Sequence, residues 1–201
     1  MIKKIHIVSV LALVVFLGIG ATWVITKATE ASQVLPAVIK QTPPFSLVSH
    51  HGEPFTNDSL LNKISVLDFI FTSCPGPCPI MSNNMRMLYN QYKLHPDLQF
   101  ISITVDPEYD SQEVLKIYAD ANGVNDRRWK FLRADMEKVK KLSSDGFLLM
   151  SDNLPAGHSV KFVLIDGDGN IRQYYNGTDK ASISILRNHI NLFLKKLRSS
   201  V

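Results

Sequence analysis

The chain has 201 residues, two cysteines, and 22 Lys+Arg against 18 Asp+Glu. That length bounds a single domain with a real core plus a short appendage. A formal net charge of +4, with no basic run interleaved with aromatics, argues against nucleic acid as a partner.

The unbroken apolar sequence lies at the front. Ile7 to Ile25 contains no charged residue, and Lys3 and Lys4 precede it. Nineteen residues rising ~1.5 Å each in a helix cover about 28 Å, close to the hydrocarbon thickness of a bilayer. Residues 1–26 are therefore read as one N-terminal transmembrane helix (an anchor or uncleaved signal), in the membrane through residues 5–25. The lysines place the N-terminus in the cytoplasm and the rest outside. The competing reading is a cleaved signal with a weak site ending at Ala31, although such apolar regions usually run only ~7–15 residues. No cysteine lies near residue 20, which excludes lipid attachment there, and the segment lacks the Arg-rich, amphipathic pattern of a mitochondrial presequence. The expected setting is a bacterial inner membrane crossed once, with the soluble domain facing the periplasm or cell exterior. With Lys3, Lys4, Lys27 and Glu30 set aside, 19 basic residues face 17 acidic ones, so the basic balance carries little meaning for that domain.

Residues 27–42 show no sustained period and read as a linker; the domain is expected over 43–201. Phe45, Leu47 and Phe55 flank a turn at Gly52, which predicts a short hairpin. SVLDFIF (65–71) and LQFISITV (98–105) are dense apolar runs of strand length, suited to the buried centre of a partly parallel sheet. Between them Met81, Met85, Leu88 and Tyr92 mark one helix face, with Pro79 suited to the first turn. Asp110-Ser-Gln-Glu113 reads as a capping box opening a second helix, which stops at Asn122-Gly123. RWKFLR (128–133) predicts a short strand, and Asp135 then caps a third helix ending at Lys140 and Lys141. VKFVLID, GDG and NIRQYY (160–175) form a strand, turn and strand. Ile183, Leu186, Ile190, Phe193, Leu194 and Leu197 place a final amphipathic helix over 181–198. Alternating α and β, then a hairpin and helix, predicts an α/β fold with helices on both sides of a sheet.

Both cysteines fall in FTSCPGPCPIMS (71–82), after a strand and before a helix. A structural disulfide between Cys74 and Cys78 would close so short a loop that it constrains the unfolded chain least. A helix N-terminus favours thiolate over thiol, and Pro75, Pro77 and Pro79 stiffen the loop. Two sulfurs are too few for a closed zinc site, which takes four ligands, whereas copper(I) accepts fewer and softer ones. One imidazole would complete a three-coordinate site. His6 lies beside the membrane segment, His95 in a loop, and His189 at the edge of a helix stripe. His50 and His51, in the first hairpin turn, are expected to be solvated and are the main rivals. His158 immediately precedes a core strand, where a side chain reaches a neighbouring strand-to-helix loop. Met150 offers a thioether, although its apolar neighbourhood suits packing. DGDGN (166–170) mimics a calcium loop but has Ile171 at the sixth position and Gly177 at the twelfth. It is read as a hairpin turn.

FTSCPGPCPIMS, ITVDPEYDSQEVLKIYA and HSVKFVLIDGDGNIRQYY, in that order, resemble the Sco/SenC family of membrane-anchored copper proteins over about residues 43–198. The resemblance implies a thioredoxin-like sandwich around a central mixed sheet. It implies one copper ion per monomer, as Cu(I) or Cu(II), held by Cys74, Cys78 and His158. It also implies a metallochaperone that helps assemble the dinuclear copper centre of cytochrome c oxidase subunit II, or of another cuproenzyme, fed by an upstream copper donor. The alternative is a thiol–disulfide oxidoreductase acting on cysteines of an exported target, with Cys74 and Cys78 as its redox pair. The chain departs from the family pattern at Gly76, where many members carry Asp, and at Ser111 and Gln112. Asp110 is read chiefly as a helix cap, and Asp106 either as a group near the site or as a strand-end turn residue.

Overall fold

The structure is a computed structural model, and it describes residues 13–23, 34–149, 154–155 and 157–199. The chain divides into two units, Met1–Leu35 and Pro36–Val201. In the first, residues 13–23 are helical. Among the described residues no helix is long and apolar enough to cross a membrane. The remainder of the expected span, like His6, lies outside the described residues, and so does Met150.

The second unit is built on one mixed eight-stranded sheet. Its strands are β1 (Lys40–Gln41), β2 (Ser46–Ser49), β3 (Pro54–Thr56), β4 (Ile64–Ile70), β5 (Leu98–Thr104), β6 (Trp129–Arg133), β7 (Lys161–Ile165) and β8 (Asn170–Asn176). Its helices are α1 (Cys78–Gln91), α2 (Gln112–Ala121), α3 (Met136–Lys141) and α4 (Lys180–Ser199). The strand order is β1-β8-β7-β4-β5-β6-β2-β3. β4, β5 and β6 run parallel, and every other pairing is antiparallel.

The apolar runs occupy the centre because they are covered on both faces. Every residue of β4 and β5 is buried, the pattern a continuous Val/Ile/Leu/Phe run demands of its surroundings. α1 buries Met81, Met85, Leu88 and Tyr89, and α4 buries Ile183, Leu186, Ile190, Phe193 and Leu194. Each such side chain contributes about 1.5–3 kcal/mol when removed from water.

Two local expectations are corrected. The second helix is capped by Ser111, whose side chain accepts from the Val114 N–H, and not by Asp110. His50 is not a solvated turn residue. It is buried, and its Nδ1 accepts the Phe131 N–H at 3.1 Å because β2 pairs with β6 at that point. The DGDGN turn behaves as expected. Asp166 Oδ1 accepts the N–H groups of Asp168 and Asn170, its Oδ2 pairs with Arg172 at 2.7 Å, and Gly169 supplies the positive φ. That carboxylate is fully used by the turn.

Candidate metal centre

The topology decides which residues meet. β7 runs antiparallel to β4, with Leu67 opposite Val163. Continuing that register past the paired residues places Phe71 opposite Ser159, next to His158. The loop leaving β4 therefore lies beside the segment entering β7. β5 runs parallel to β4, and the Val105 N–H donates to the Ile70 carbonyl at 2.8 Å, so the loop following β5 reaches the same sheet edge. Carboxyl ends of parallel strands are where α/β sheets place their ligands.

At that edge the ligand atoms of Cys74, Cys78 and His158 all lie within 4.8 Å of one another. Cys78 Sγ is 3.2 Å from His158 Nε2. Both cysteines are free thiols. Cys78, the first residue of α1, is 1% exposed, whereas Cys74 in the loop is 9% exposed and His158 8%. Cys74 is therefore the sulfur nearer to solvent. The Gly76 N–H donates to Cys74 Sγ at 3.4 Å. Phe71 meets the His158 ring edge-on, with centroids 5.4 Å apart and planes at 88°, and the His158 backbone N–H donates to the Pro155 carbonyl.

Burial governs the electrostatics. Desolvation pushes the Cys78 thiol well above its usual range, and neighbouring Cys74 and Asp68 add to the shift. The helix N-terminus was expected to favour thiolate at this position; at Cys78 the loss of water outweighs it. Desolvation lowers the His158 pKa, with backbone groups of Ser159 and Phe69 opposing the shift. The ring is thus neutral at pH 7. Ligation through Nε2 requires the ring proton on Nδ1, which is buried and has no hydrogen-bond partner among the described residues.

Two sulfurs and a neutral imidazole are a soft donor set. No fourth His, Cys, Asp or Glu joins them among the described residues, so a closed four-ligand zinc site is not assembled. Of the rival histidines, His50 is committed to Phe131, His189 Nδ1 to the Tyr175 hydroxyl at 2.7 Å, and His95 Nδ1 to Arg198. His51 packs on His50 and stands apart from the cluster. Asp106 opens the turn after β5: its N–H donates to Thr104 Oγ1 and its carbonyl accepts from Asp110. Asp68 is the one acid in the apolar run SVLDFIF, and no motif in the sequence marks it as functional. It is fully buried on β4, and neither carboxyl oxygen has a hydrogen-bond partner among the described residues.

Gly76 has room for a side chain. A Cβ there would meet only Cys74 Sγ, at an ordinary 3.9 Å. Gly76→Asp is expected to fold normally and to set a carboxylate beside the sulfur. One like charge at about 4 Å in water-like screening costs ~1 kcal/mol, so alkylation of Cys74 by iodoacetamide at pH 7 should slow about fivefold. An unchanged rate would mean that the loop turns the carboxylate away.

The fold and the three-residue cluster together define an α/β protein that presents two thiols on a strand-to-helix loop to one remote histidine. The SCO1/SenC family profile matches residues 36–191. The chain belongs to the SCO1/SenC family, and its fold is the thioredoxin-like fold of that family's solved structures. A SCO1 protein homolog of Bacillus subtilis is 27% identical over 167 residues, covering 80% of this chain and 86% of its own. The crystal structure of a SCO1/SenC family lipoprotein from Bacillus anthracis superposes with a TM-score of 0.71 at 30% identity, covering 82% of this chain and 99% of that one. Yeast Sco1 with copper bound gives a TM-score of 0.61 at 25% identity, covering 76% and 89%.

Proposed function

We propose that this chain is a copper metallochaperone that binds one ion as Cu(I) or Cu(II) through Cys74, Cys78 and His158. Its target is the dinuclear copper centre of cytochrome c oxidase subunit II. Residues 5–25 hold it in a bacterial inner membrane, with the domain over 43–201 facing the periplasm or cell exterior. The observation that carries this reading is the meeting of three soft ligand atoms within 4.8 Å from positions 74, 78 and 158. Membership of a family with a copper-bound yeast relative supports it.

The donor set fits the ion's chemistry. Thiolates hold copper(I), and the added imidazole suits copper(II) as well. The ion is cargo, so it must also leave. Cys74, being nearer to solvent, is the sulfur that a partner's thiolate displaces first, and Cys78 with His158 hold until the exchange completes. Direct exchange between protein ligands keeps free copper out of solution.

Reduced, purified protein should take up one copper per chain. Oxidation of the loaded form should give a Cu(II)–thiolate absorption band, and a deletion strain should lack assembled oxidase. Uptake no greater than that of alkylated protein would refute the reading. Loading also displaces the proton of the Cys78 thiol, which burial keeps protonated through pH 8. Apparent Cu(I) affinity should therefore rise about tenfold per pH unit between pH 6 and 8 for each proton released. Affinity flat with pH would mean that Cys78 binds nothing.

A second reading, thiol–disulfide exchange on cysteines of an exported target, is favoured by the two free thiols on one loop. In that role Cys74 is the attacking sulfur and Cys78 the resolving one. Both activities are compatible in one protein, because a Cys74–Cys78 disulfide has no thiolate left to offer copper.

A further inference from the structure

Asp110 does not cap a helix, and its carboxylate is fully buried at the edge of the sheet. It accepts the Thr72 hydroxyl at 2.5 Å on Oδ1 and the Thr104 hydroxyl at 2.5 Å on Oδ2. It also accepts the Thr72 backbone N–H at 3.2 Å. Its own N–H closes the turn onto the Asp106 carbonyl at 2.8 Å. Thr104 ends β5, and Thr72 stands two residues before Cys74.

These contacts bear on a particular weakness of the site. Cys78 is held by α1, and His158 is held by the strand it precedes. Cys74 belongs to no helix or strand. Apart from its own turn, the Cys74 N–H to the Phe71 carbonyl, and the packing of Phe71 on the His158 ring, the loop on its upstream side is tied to the rest of the fold by the hydrogen bonds of Thr72. We infer that Asp110, acting through Thr72, is a positioning residue that sets where Cys74 Sγ lies relative to Cys78 and His158. The inference rests on the proposed copper site, but its effect on the two sulfurs is readable without metal. Charge-assisted hydrogen bonds to a buried carboxylate are the strong class, and groups that orient metal ligands typically matter ~10–100-fold in affinity.

The test uses the full chain in detergent, with Thr72→Val, Thr72→Ser and Asp110→Asn. Tyr92→Phe serves as a control; it removes a hydroxyl bonded to Asn191 at 2.8 Å, at the far end of α1. Three readouts are taken: Cu(I) affinity by chelator competition, the position of the Cu(II)–thiolate band, and the Cys74–Cys78 dithiol–disulfide equilibrium against glutathione. Thr72→Val should lower Cu(I) affinity about tenfold or more, shift the band, and move the glutathione equilibrium by a similar factor. Thr72→Ser should restore all three, and Asp110→Asn, which keeps one acceptor oxygen, should fall between. Wild-type values in folded Thr72→Val and Asp110→Asn would overturn the inference. So would equal shifts in Tyr92→Phe, since they would mark general destabilisation. Should the wild type bind no copper, the metallochaperone reading fails, and the glutathione equilibrium still decides the role of Asp110.

Discussion

His158→Ala is expected to abolish the Cu(II)–thiolate band and to lower Cu(I) affinity by about 100-fold, roughly 2.7 kcal/mol. The imidazole stands 3.2 Å from Cys78 Sγ, neutral and shielded from water. Copper(I) tolerates two sulfur ligands and so keeps part of its affinity without the ring. Copper(II) prefers more ligands and harder ones, so its form of the site is lost. The same variant should leave thiol–disulfide exchange within about threefold of wild type, because both sulfurs remain; that factor is less than ~1 kcal/mol. Cys74→Ser and Cys78→Ser should lose both activities. Titration with Cu(I), an absorption spectrum, and reduction of a protein disulfide check these outcomes on one set of proteins. A His158→Ala protein that binds copper like the wild type would remove the histidine from the site. One that also loses exchange activity would show that plain dithiol chemistry is the wrong description.

The second large effect concerns Asp68. Burial raises its pKa from 3.8 to about 7, and the nearby Ser102 hydroxyl and local backbone, lying short of hydrogen-bond geometry, offset only part of this. Register puts Asp68 directly opposite Ser102, whose oxygen already accepts the Trp129 indole N–H. The sign follows from linkage. Below the unfolded pKa the carboxyl is protonated in both states and costs nothing by charge. Between about 4 and 7 the unfolded chain releases the proton and the folded chain keeps it, so stability falls as pH rises. Above about 7 the folded protein carries the buried charge, and the full loss has accrued. Three pKa units correspond to about 4 kcal/mol as an order of magnitude. Asp68→Asn, neutral at every pH, should flatten the stability profile between pH 5 and 8. At pH 8 it should be more stable than wild type by about 2 kcal/mol, after allowance for an amide that also lacks partners. Urea denaturation at pH 5 and pH 8 measures this; equal pH dependence in the two proteins would place the titrating group elsewhere.

Much of the fold was legible because its elements are locally consistent. The runs ending at Phe71 and Val105 announced buried strands, the Met81-Met85-Leu88 spacing announced α1, and the stripe from Ile183 to Leu194 announced α4. The cysteine pair was legible for the same reason, since both sulfurs sit within one loop. His50 was misjudged because a turn residue looks solvated in sequence, and only the β2–β6 pairing covers it. Asp110 was misjudged because an acid before Ser-Gln-Glu has the form of a cap, while its actual partners, Thr72 and Thr104, come from two other segments.

The sequence by itself determined the strand and helix periods, the loop that carries both sulfurs, and the family to which the chain belongs. The family resemblance pointed to His158, but only the tertiary structure brings its ring, and none of the rival histidines described, to those sulfurs. The tertiary structure also decided that Cys78 is shut from water and that Asp110 braces the loop. The physical reason is range: periodicity and capping act over a few residues, whereas ligand geometry and desolvation depend on which distant strands lie side by side.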